Sequence, residues 1–187
     1  MSVALQKPMT LAEFLDWEER QELRYEFDGF QPVAMTGGTA RHETIGGTLR
    51  ALLYNRLQGG RCRLWGPTAK IEVQGHIRYP DAYVSCTPVS PSATIIPEPV
   101  VVFEVLSPST SRTDRIEKLR EYQATPSIQR YVVLEQDSIA AMVFSRHGDD
   151  WTANVLIESD ILRMPEIDIE LALAEIYADA GFGDAAA

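Results

Sequence analysis

The sequence predicts an α/β (α+β) fold in which a mixed β-sheet packs against helices. The run VVVFEVL from position 100 is almost continuously apolar, which is typical of a strand buried on both faces. Segments with helical spacing precede and follow this run, and short strand-like segments lie between them. At 187 residues the chain is predicted to form one domain, residues 1–187, with a core of about residues 41–135.

The N-terminal part of the chain predicts a helix followed by a hairpin. Thr10 is placed to cap a helix in MTLAEFLDWEER, since Glu13 follows it three residues later and completes a capping box. The segment RYEFDGFQPVAM predicts a hairpin that turns at Asp28 and Gly29, because Asp-Gly accommodates positive φ angles.

The middle of the chain predicts the order helix, strand, strand, strand, helix, strand. The segments are TGGTARHETIGGTLRALLYNRL, AKIEVQG, YPDAYVSC, VVVFEVL, SPSTSRTDRIEKLREYQATP and QRYVVLEQ. In the third helix of the chain, SPSTSRTDRIEKLREYQATP, Ser111 and Asp114 offer a capping pair, and Pro126 ends the helix. The segment AAMVFSRHGDDWTANVLI then predicts a hairpin, and IDIELALAEIYADA predicts a C-terminal helix before a frayed tail at residues 181–187.

Composition and charge restrict the class of protein. The net charge of −10 argues against a general nucleic-acid binder, but residues 41–130 hold 12 Lys and Arg against 8 Asp and Glu. This basic centre would suit a polyanion, whereas chance clustering of solvated charges is the alternative. The two cysteines are too few for a disulfide framework, and neither a signal-peptide h-region nor a transmembrane run is present. We therefore expect a cytoplasmic protein with no membrane partner.

One carboxylate stands inside the buried strand. Glu104 would cost several kcal/mol there unless it is neutralised, paired or bound to a metal. Asp81 begins the neighbouring predicted strand, directly after Pro80, so both carboxylates can point to one end of the sheet. Two such carboxylates raise each other's pKa unless a cation lies between them, and Mg²⁺ is a natural occupant. The alternatives are that Glu104 pairs with Lys or Arg and that the Pro-Asp sequence only begins a strand or turn.

The motifs YPDAYV and VVVFEVLSPST, followed by DRIEKLREY, resemble the Uma-type restriction endonucleases of the PD-(D/E)XK nuclease superfamily. The resemblance extends from MTLAEFLDWEER and RYEFDG through MTGGTARH and QRYVVLEQ to the C-terminal helix. It implies a restriction-endonuclease-like αβββαβ core that binds Mg²⁺ or Mn²⁺ through Asp81 and Glu104. It also implies the hydrolysis of phosphodiester bonds in DNA.

One position departs from the superfamily pattern, because the lysine expected two residues after Glu104 is Leu106. Related branches supply this lysine from elsewhere, and we favour Lys118, in DRIEKLREY, over Lys70 on the preceding predicted strand. The alternatives are that Lys118 forms only an exposed pair with Asp114 and that Lys70 is a surface residue.

Two further residues are accessory candidates. The resemblance implies that His42, at the start of the second helix, contacts the scissile region, whereas a bare histidine there is more often a hydrogen-bonder. Glu26 would add a third carboxylate, and a salt bridge to Arg24 or a neighbouring strand is the alternative. The sequence therefore predicts a Mg²⁺-dependent endodeoxyribonuclease, and a homodimer would suit the cutting of both strands. A weak or inactive nuclease-fold protein that binds nucleic acid or another partner is the alternative function.

Overall fold

The computed structural model of the protein describes residues 8–35, 37–106 and 113–182. The helices are α1 (Leu11–Glu18), α2 (Ala40–Leu57), α3 (Leu119–Ala124) and α4 (Leu173–Ile176), with a π-helical turn at Thr113–Lys118 directly before α3 and a 3₁₀ turn at Pro165–Ile167. The strands are β1 (Tyr25–Phe27), β2 (Pro32–Ala34), β3 (Arg63–Trp65), β4 (Ile71–Val73), β5 (His76–Arg78), β6 (Ala82–Ser85), β7 (Pro99–Val105), β8 (Arg130–Leu134), β9 (Ala140–His147), β10 (Asp150–Ile157), β11 (Ile161–Met164) and β12 (Ile169–Ala172).

A six-stranded mixed sheet forms the centre of the molecule. Its strand order is β10-β9-β8-β7-β6-β3, in which β7 and β8 are parallel and all other neighbours are antiparallel. Along the chain, the elements α2, β3, β6, β7, α3 and β8 follow the predicted αβββαβ order. The predicted α/β (α+β) class with a mixed sheet, and its restriction-endonuclease-like core, are therefore confirmed.

Both faces of this sheet are covered, as the apolar run in β7 predicted. Phe103 and Val105 face the cluster that contains Leu49 of α2, whereas Val102 packs on the opposite face with Tyr122 of α3. Each of these buried apolar side chains contributes about 1.5–3 kcal/mol relative to an exposed position. Because side chains alternate along a strand, Glu104 shares its face with Val102 and points towards the α3 side of the sheet.

The first strand of the core differs from the prediction. The AKIEV segment forms β4, which pairs with β5 through a turn at Gln74 and Gly75 in a second sheet of order β2-β1-β5-β4. The first strand of the core is instead β3, which is three residues long and too short to show alternation in the sequence. The placement of Lys70 on a strand beside the core is therefore wrong, since Lys70 precedes β4 in the second sheet.

The predicted N-terminal elements are confirmed. The Thr10 side chain accepts a hydrogen bond from the Glu13 N–H, and the Glu13 carboxylate accepts one from the Thr10 N–H, so the capping box is complete. The β1–β2 hairpin turns through Asp28 and Gly29, where Gly29 has φ +89°.

The predicted C-terminal hairpin is confirmed, but the prediction of a C-terminal helix is wrong for the first half of that segment, which forms a strand. His147 pairs with Asp150 across the turn that joins β9 to β10. Farther on, β12 pairs with β11, and α4 covers only four residues. Ile169 and Leu171 are buried while Glu170 between them is exposed, which is the period-two pattern of a strand.

Three further observations concern the remaining predictions. Helix α3 ends before Pro126 as expected, whereas Ser111 of the proposed capping pair lies outside the described residues. Cys62 and Cys86 form a disulfide between the start of β3 and the end of β6, a pairing that the sequence did not predict. Within residues 8–35, 37–106 and 113–182, no helix combines the length and hydrophobicity that a membrane span requires.

Candidate active site

Asp81 and Glu104 lie at the same end of the central sheet. Ala82 of β6 pairs with Phe103 of β7, so the residues that adjoin this pair, Asp81 and Glu104, come to the same end of two antiparallel strands. The backbone N–H of Val105 donates a hydrogen bond of 2.7 Å to Oδ2 of Asp81. The predicted adjacency of the two strands is therefore confirmed.

Glu104 is paired with a lysine and a tyrosine from the helical segment that packs on its face. Lys118 Nζ lies 2.8 Å from Glu104 Oε1, and the Tyr122 hydroxyl donates to the same oxygen at 3.1 Å. All three side chains are buried, and Lys118 is only 6% exposed, so the alternative of an exposed Lys118 pair is wrong. Sequence reasoning missed Tyr122, although its spacing of four residues from Lys118 places both on one helix face.

A third carboxylate reaches the same lysine. Glu26 Oε1 lies 3.2 Å from Lys118 Nζ and accepts the Tyr79 N–H, while Arg78 donates to Glu26 Oε2 at 3.1 Å. Burial raises the pKa of Glu26, but attraction to Lys118 and Arg78 outweighs it and leaves the pKa below its ordinary value. Lys118 is thus held between Glu104 on the central sheet and Glu26 on the second sheet.

An arginine ties this cluster to α3. Arg78 donates two hydrogen bonds, of 2.7 and 2.6 Å, to the carboxylate of Glu121 in addition to its bond with Glu26. This fork-to-carboxylate geometry is the stronger kind of charged hydrogen bond. It connects β5 to the helix that carries Tyr122, and so it fixes the helix relative to β1. No local pattern in the sequence indicates this pair, because its members are 43 residues apart.

His42 stands on the other side of Asp81. Thr39 caps α2 by accepting the His42 N–H, and its hydroxyl donates to Gln136 beyond the end of β8, which anchors the helix start at this end of the sheet. His42 Nε2 lies 3.3 Å from Asp81 Oδ2. This hydrogen bond raises the pKa of His42 above its ordinary value, although burial acts in the opposite direction. The structure therefore brings His42 and Asp81 together.

Lys70 belongs to a different cluster. Its Nζ forms an ion pair with Glu18 of α1, and the Tyr79 hydroxyl donates to the same carboxylate. Lys70 and Glu18 are 7% and 6% exposed, so the alternative of a surface Lys70 is wrong. None of the bonds that Lys70 makes within the described residues reaches Asp81 or Glu104.

The carboxylates at the sheet end suit a hard divalent cation. In the part of the chain that the structure describes, no group of three or more His, Cys, Asp and Glu side chains is arranged to hold a metal ion. Mg²⁺, however, commonly takes one or two carboxylates from a protein and completes its shell with water and substrate phosphate. Asp81 uses only Oδ2 in its described hydrogen bonds, which leaves Oδ1 for such a ligand role. The oxygen donors of Asp81 and Glu104 therefore fit Mg²⁺ or Mn²⁺.

Comparison with known proteins finds relatives of this chain in sequence and in fold. The chain is 35% identical over 174 residues to the uncharacterized protein slr1290 of Synechocystis sp.. The match covers 91% of this chain and 92% of that protein. It is 25% identical over 155 residues to the uncharacterized protein sll1609 of the same organism, over 80% and 87% of the two chains. The crystal structure of a "putative nuclease belonging to DUF820" from Anabaena variabilis matches with a TM-score of 0.75 and 17% identity, over 91% of this chain and 98% of that one.

The structural match, at this low identity, supports the fold. The family follows from the sequence itself, since residues 11–174 match the family described as "Uma2: Putative restriction endonuclease", a span that includes every candidate site residue named above. The chain belongs to the Uma2 family.

Proposed function

We propose that the protein is a Mg²⁺- or Mn²⁺-dependent endodeoxyribonuclease that hydrolyses phosphodiester bonds in DNA. The observation that carries this proposal is the position of Lys118. The strand lacks the usual lysine, but the Lys118 ammonium is 2.8 Å from Glu104, beside Asp81. The same reaction class is supported by membership of the Uma2 family, described as "Putative restriction endonuclease", and by the structural likeness to a "putative nuclease".

The roles of the residues follow from their contacts. Asp81 and Glu104 would hold the divalent ion, which activates water and stabilises charge on the phosphate when it is bound. Lys118, fixed between Glu104 and Glu26, presents a positive charge that orients water or stabilises the transition state. His42 lies 3.3 Å from Asp81 at the same end of the sheet, a contact that raises the pKa of His42, and from there it can contact the scissile region.

DNA as partner is supported by the basic centre of the sequence and by Arg50 of α2, which bonds the backbone carbonyl of Asp81. We further propose a homodimer, because one site cuts one strand at a time. The edge strand β10 has eight residues, exposes Val155 and Ile157, and carries no charge between Trp151 and Ile157, which leaves its backbone open to antiparallel pairing with a second copy. Light scattering tests this proposal by comparing the wild type, which is expected to be dimeric, with Val155→Lys, which is expected to be monomeric.

We propose the cytoplasm as the compartment of the protein, which cell fractionation tests.

A second function is favoured by one observation. Lys118 is already paired with two buried carboxylates, Glu104 and Glu26, and a network of this kind can be purely structural. On this alternative the protein is a weak or inactive nuclease-fold module that binds nucleic acid or another partner.

The decisive experiment incubates purified protein with supercoiled plasmid DNA and either Mg²⁺, Mn²⁺ or EDTA. An Asp81→Asn protein purified in the same way serves as the control for contaminating nucleases. We expect nicked and linear DNA with either metal, and no product with EDTA or with Asp81→Asn. If the wild type and Asp81→Asn give the same products, or none, the nuclease proposal fails and the binding module becomes the better account.

A further inference from the structure

One arginine beside the candidate site leaves most of its hydrogen-bonding capacity unused. Arg50, on α2, donates from Nη1 to the backbone carbonyl oxygen of Asp81 at 3.2 Å. Its Nη2 lies 3.6 Å from Glu43, too far for a hydrogen bond, and the Glu43 side chain is 63% exposed. A guanidinium carries five N–H donors, so four of them have no hydrogen-bond partner among the described residues.

The other arginines inside the fold use more of their donors. Arg78 gives three hydrogen bonds to two carboxylates, and Arg130 gives three to a carboxylate and a hydroxyl. Arg146 gives three hydrogen bonds to backbone carbonyls. These side chains hold elements of the fold together. Arg50 makes one such bond and keeps 25% of its side chain exposed, which distinguishes it from structural arginines.

Two glycines adjoin the Arg50 side chain, and at one of them a side chain would crowd the guanidinium. A Cβ on Gly46, a buried residue inside α2, would lie 3.0 Å from Nη1 of Arg50. A Cβ on Gly66 would lie 3.4 Å from Cδ of the same side chain. Glycine inside a helix is destabilising relative to alanine, so its presence at position 46 needs a compensating reason. The room for the guanidinium supplies that reason.

We propose that Arg50 binds a backbone phosphate of the DNA next to Asp81. A guanidinium with free N–H groups matches the geometry of a phosphate bidentately, and the existing bond to the Asp81 carbonyl orients it at the end of the sheet where cleavage takes place. Glu43 serves as a weak, exposed counter-ion that the phosphate displaces. This inference rests on the proposed function, because it takes DNA as the substrate.

The test measures DNA binding without cleavage, so that it is independent of catalysis. A short fluorescent duplex is titrated with the protein in EDTA at several salt concentrations. The logarithm of the binding constant is then plotted against the logarithm of the salt concentration, and the slope of this plot is the quantity compared. Arg50→Ala is expected to weaken binding roughly tenfold or more and to make the slope shallower by about 0.9, the amount expected for one lost phosphate contact. Arg50→Lys should keep the slope and lose part of the affinity, because it keeps the charge without the planar fork.

Matched variants separate phosphate binding from a structural role. Arg56→Ala removes an exposed arginine of the same helix, whose one hydrogen bond within the described part of the chain goes to the Glu170 carbonyl, and it should leave the slope unchanged. Gly46→Ala should raise the melting temperature or leave it unchanged, yet weaken DNA binding, because its methyl group displaces the Arg50 guanidinium. Glu43→Gln should tighten binding, since the competing carboxylate charge is removed.

The outcomes distinguish this inference from the nuclease proposal. If Arg50→Ala lowers stability or cleavage but leaves the salt slope as in the wild type, Arg50 only positions Asp81 and the inference is overturned. A wild type that binds no DNA at all overturns it as well. A wild type that fails to cleave, but whose salt slope falls with Arg50→Ala, retains the phosphate contact while the nuclease proposal fails.

Discussion

Two buried clusters in this protein have the same composition and different surroundings. Glu104, Lys118 and Tyr122 form one Glu–Lys–Tyr cluster, in which the lysine and the tyrosine both bond one carboxylate oxygen. A second Glu–Lys–Tyr cluster consists of Glu18, Lys70 and Tyr79. We call them the Glu104 cluster and the Glu18 cluster.

The difference between the two clusters lies in what adjoins them. The Glu104 cluster stands at the end of the central sheet beside Asp81, and its lysine also contacts Glu26. The carboxylate of the Glu18 cluster receives its bonds from Lys70 and Tyr79 and joins α1 to the second sheet. A buried lysine paired with a glutamate is therefore no sign of a catalytic site by itself. On the proposed function, the carboxylate of Asp81, directly before the adjacent strand, is what distinguishes the Glu104 cluster as the catalytic one.

The largest expected effect comes from neutralising the two glutamates in turn. Glu104→Gln should reduce metal-dependent cleavage by more than the roughly 10²–10³-fold typical of losing a single electrostatic stabiliser, because a ligand of the ion is removed. Glu18→Gln should cleave at the wild-type rate. We expect Glu18→Gln to lower the free energy of unfolding more than Glu104→Gln does. In Glu104→Gln, Lys118 retains its contact with Glu26, whereas in Glu18→Gln, Lys70 loses the carboxylate it bonds. Cleavage rates and thermal unfolding of both variants check this, and equal losses of activity would refute the distinction.

Replacing the lysines of the two clusters should likewise affect turnover only in the Glu104 cluster. Lys118→Met and Lys70→Met each keep an apolar stem and leave a buried carboxylate without its lysine, so each should cost about 3–5 kcal/mol of unfolding free energy. Lys118→Met should also lower the turnover number by roughly 10²–10³-fold with little loss of DNA affinity. Single-turnover kinetics at saturating DNA give the comparison. If Lys70→Met proved the slower enzyme, the catalytic lysine would have to be sought in the Glu18 cluster.

A smaller effect is expected from the tyrosines. Tyr122→Phe removes the hydroxyl that bonds Glu104, and loss of that alignment should lower turnover about tenfold, equivalent to about 1.4 kcal/mol. Tyr79→Phe removes the corresponding hydroxyl from Glu18 and should change stability alone. Both tyrosine hydroxyls have a raised pKa, chiefly through burial, and remain protonated donors at neutral pH. Equal turnover in the two variants would show that Tyr122 does not position Glu104.

The smallest effect concerns acid stability, and it depends on Glu26. Its pKa in the folded protein lies below the ordinary value of 4.5, so its contribution to stability is fully present above about pH 4.5 and is lost as the pH falls through the lower, folded pKa. The difference in melting temperature between wild type and Glu26→Gln should therefore be largest near neutral pH and shrink below pH 4.5. A difference that stays constant down to pH 3 would contradict the assigned direction of the shift.

How much of this site the sequence could predict depends on how local each signal was. Asp81 and Glu104 were predictable, since a carboxylate within an apolar run and a Pro-Asp before a strand are visible in short windows. Lys118 was predicted through the family resemblance, but its burial and its contact with Glu26 were not. Those depend on β1 of the second sheet approaching α3, and no local pattern records this contact between distant segments.

The fold shows the same limit. The long strand β7 and the β9–β10 hairpin were predicted, because their apolar patterns extend over seven or eight residues. The short strand β3 was missed, and the assignment of AKIEV to the core placed Lys70 in the wrong sheet. In the C-terminal segment, the sequence predicts helix over an alternating stretch of four residues that forms β12, because α4 follows it directly. Tertiary pairing decides such short segments.

The most direct test of the account is a calorimetric titration with Mn²⁺. It compares wild type, Asp81→Asn and Glu18→Gln in the absence of DNA. Since the ion is assigned to the carboxylates of the central sheet, wild type and Glu18→Gln should bind Mn²⁺ with similar affinity, and Asp81→Asn should show little or no heat of binding. Undiminished Mn²⁺ binding by Asp81→Asn, or its loss in Glu18→Gln, would contradict the assignment of the metal site to Asp81 and Glu104.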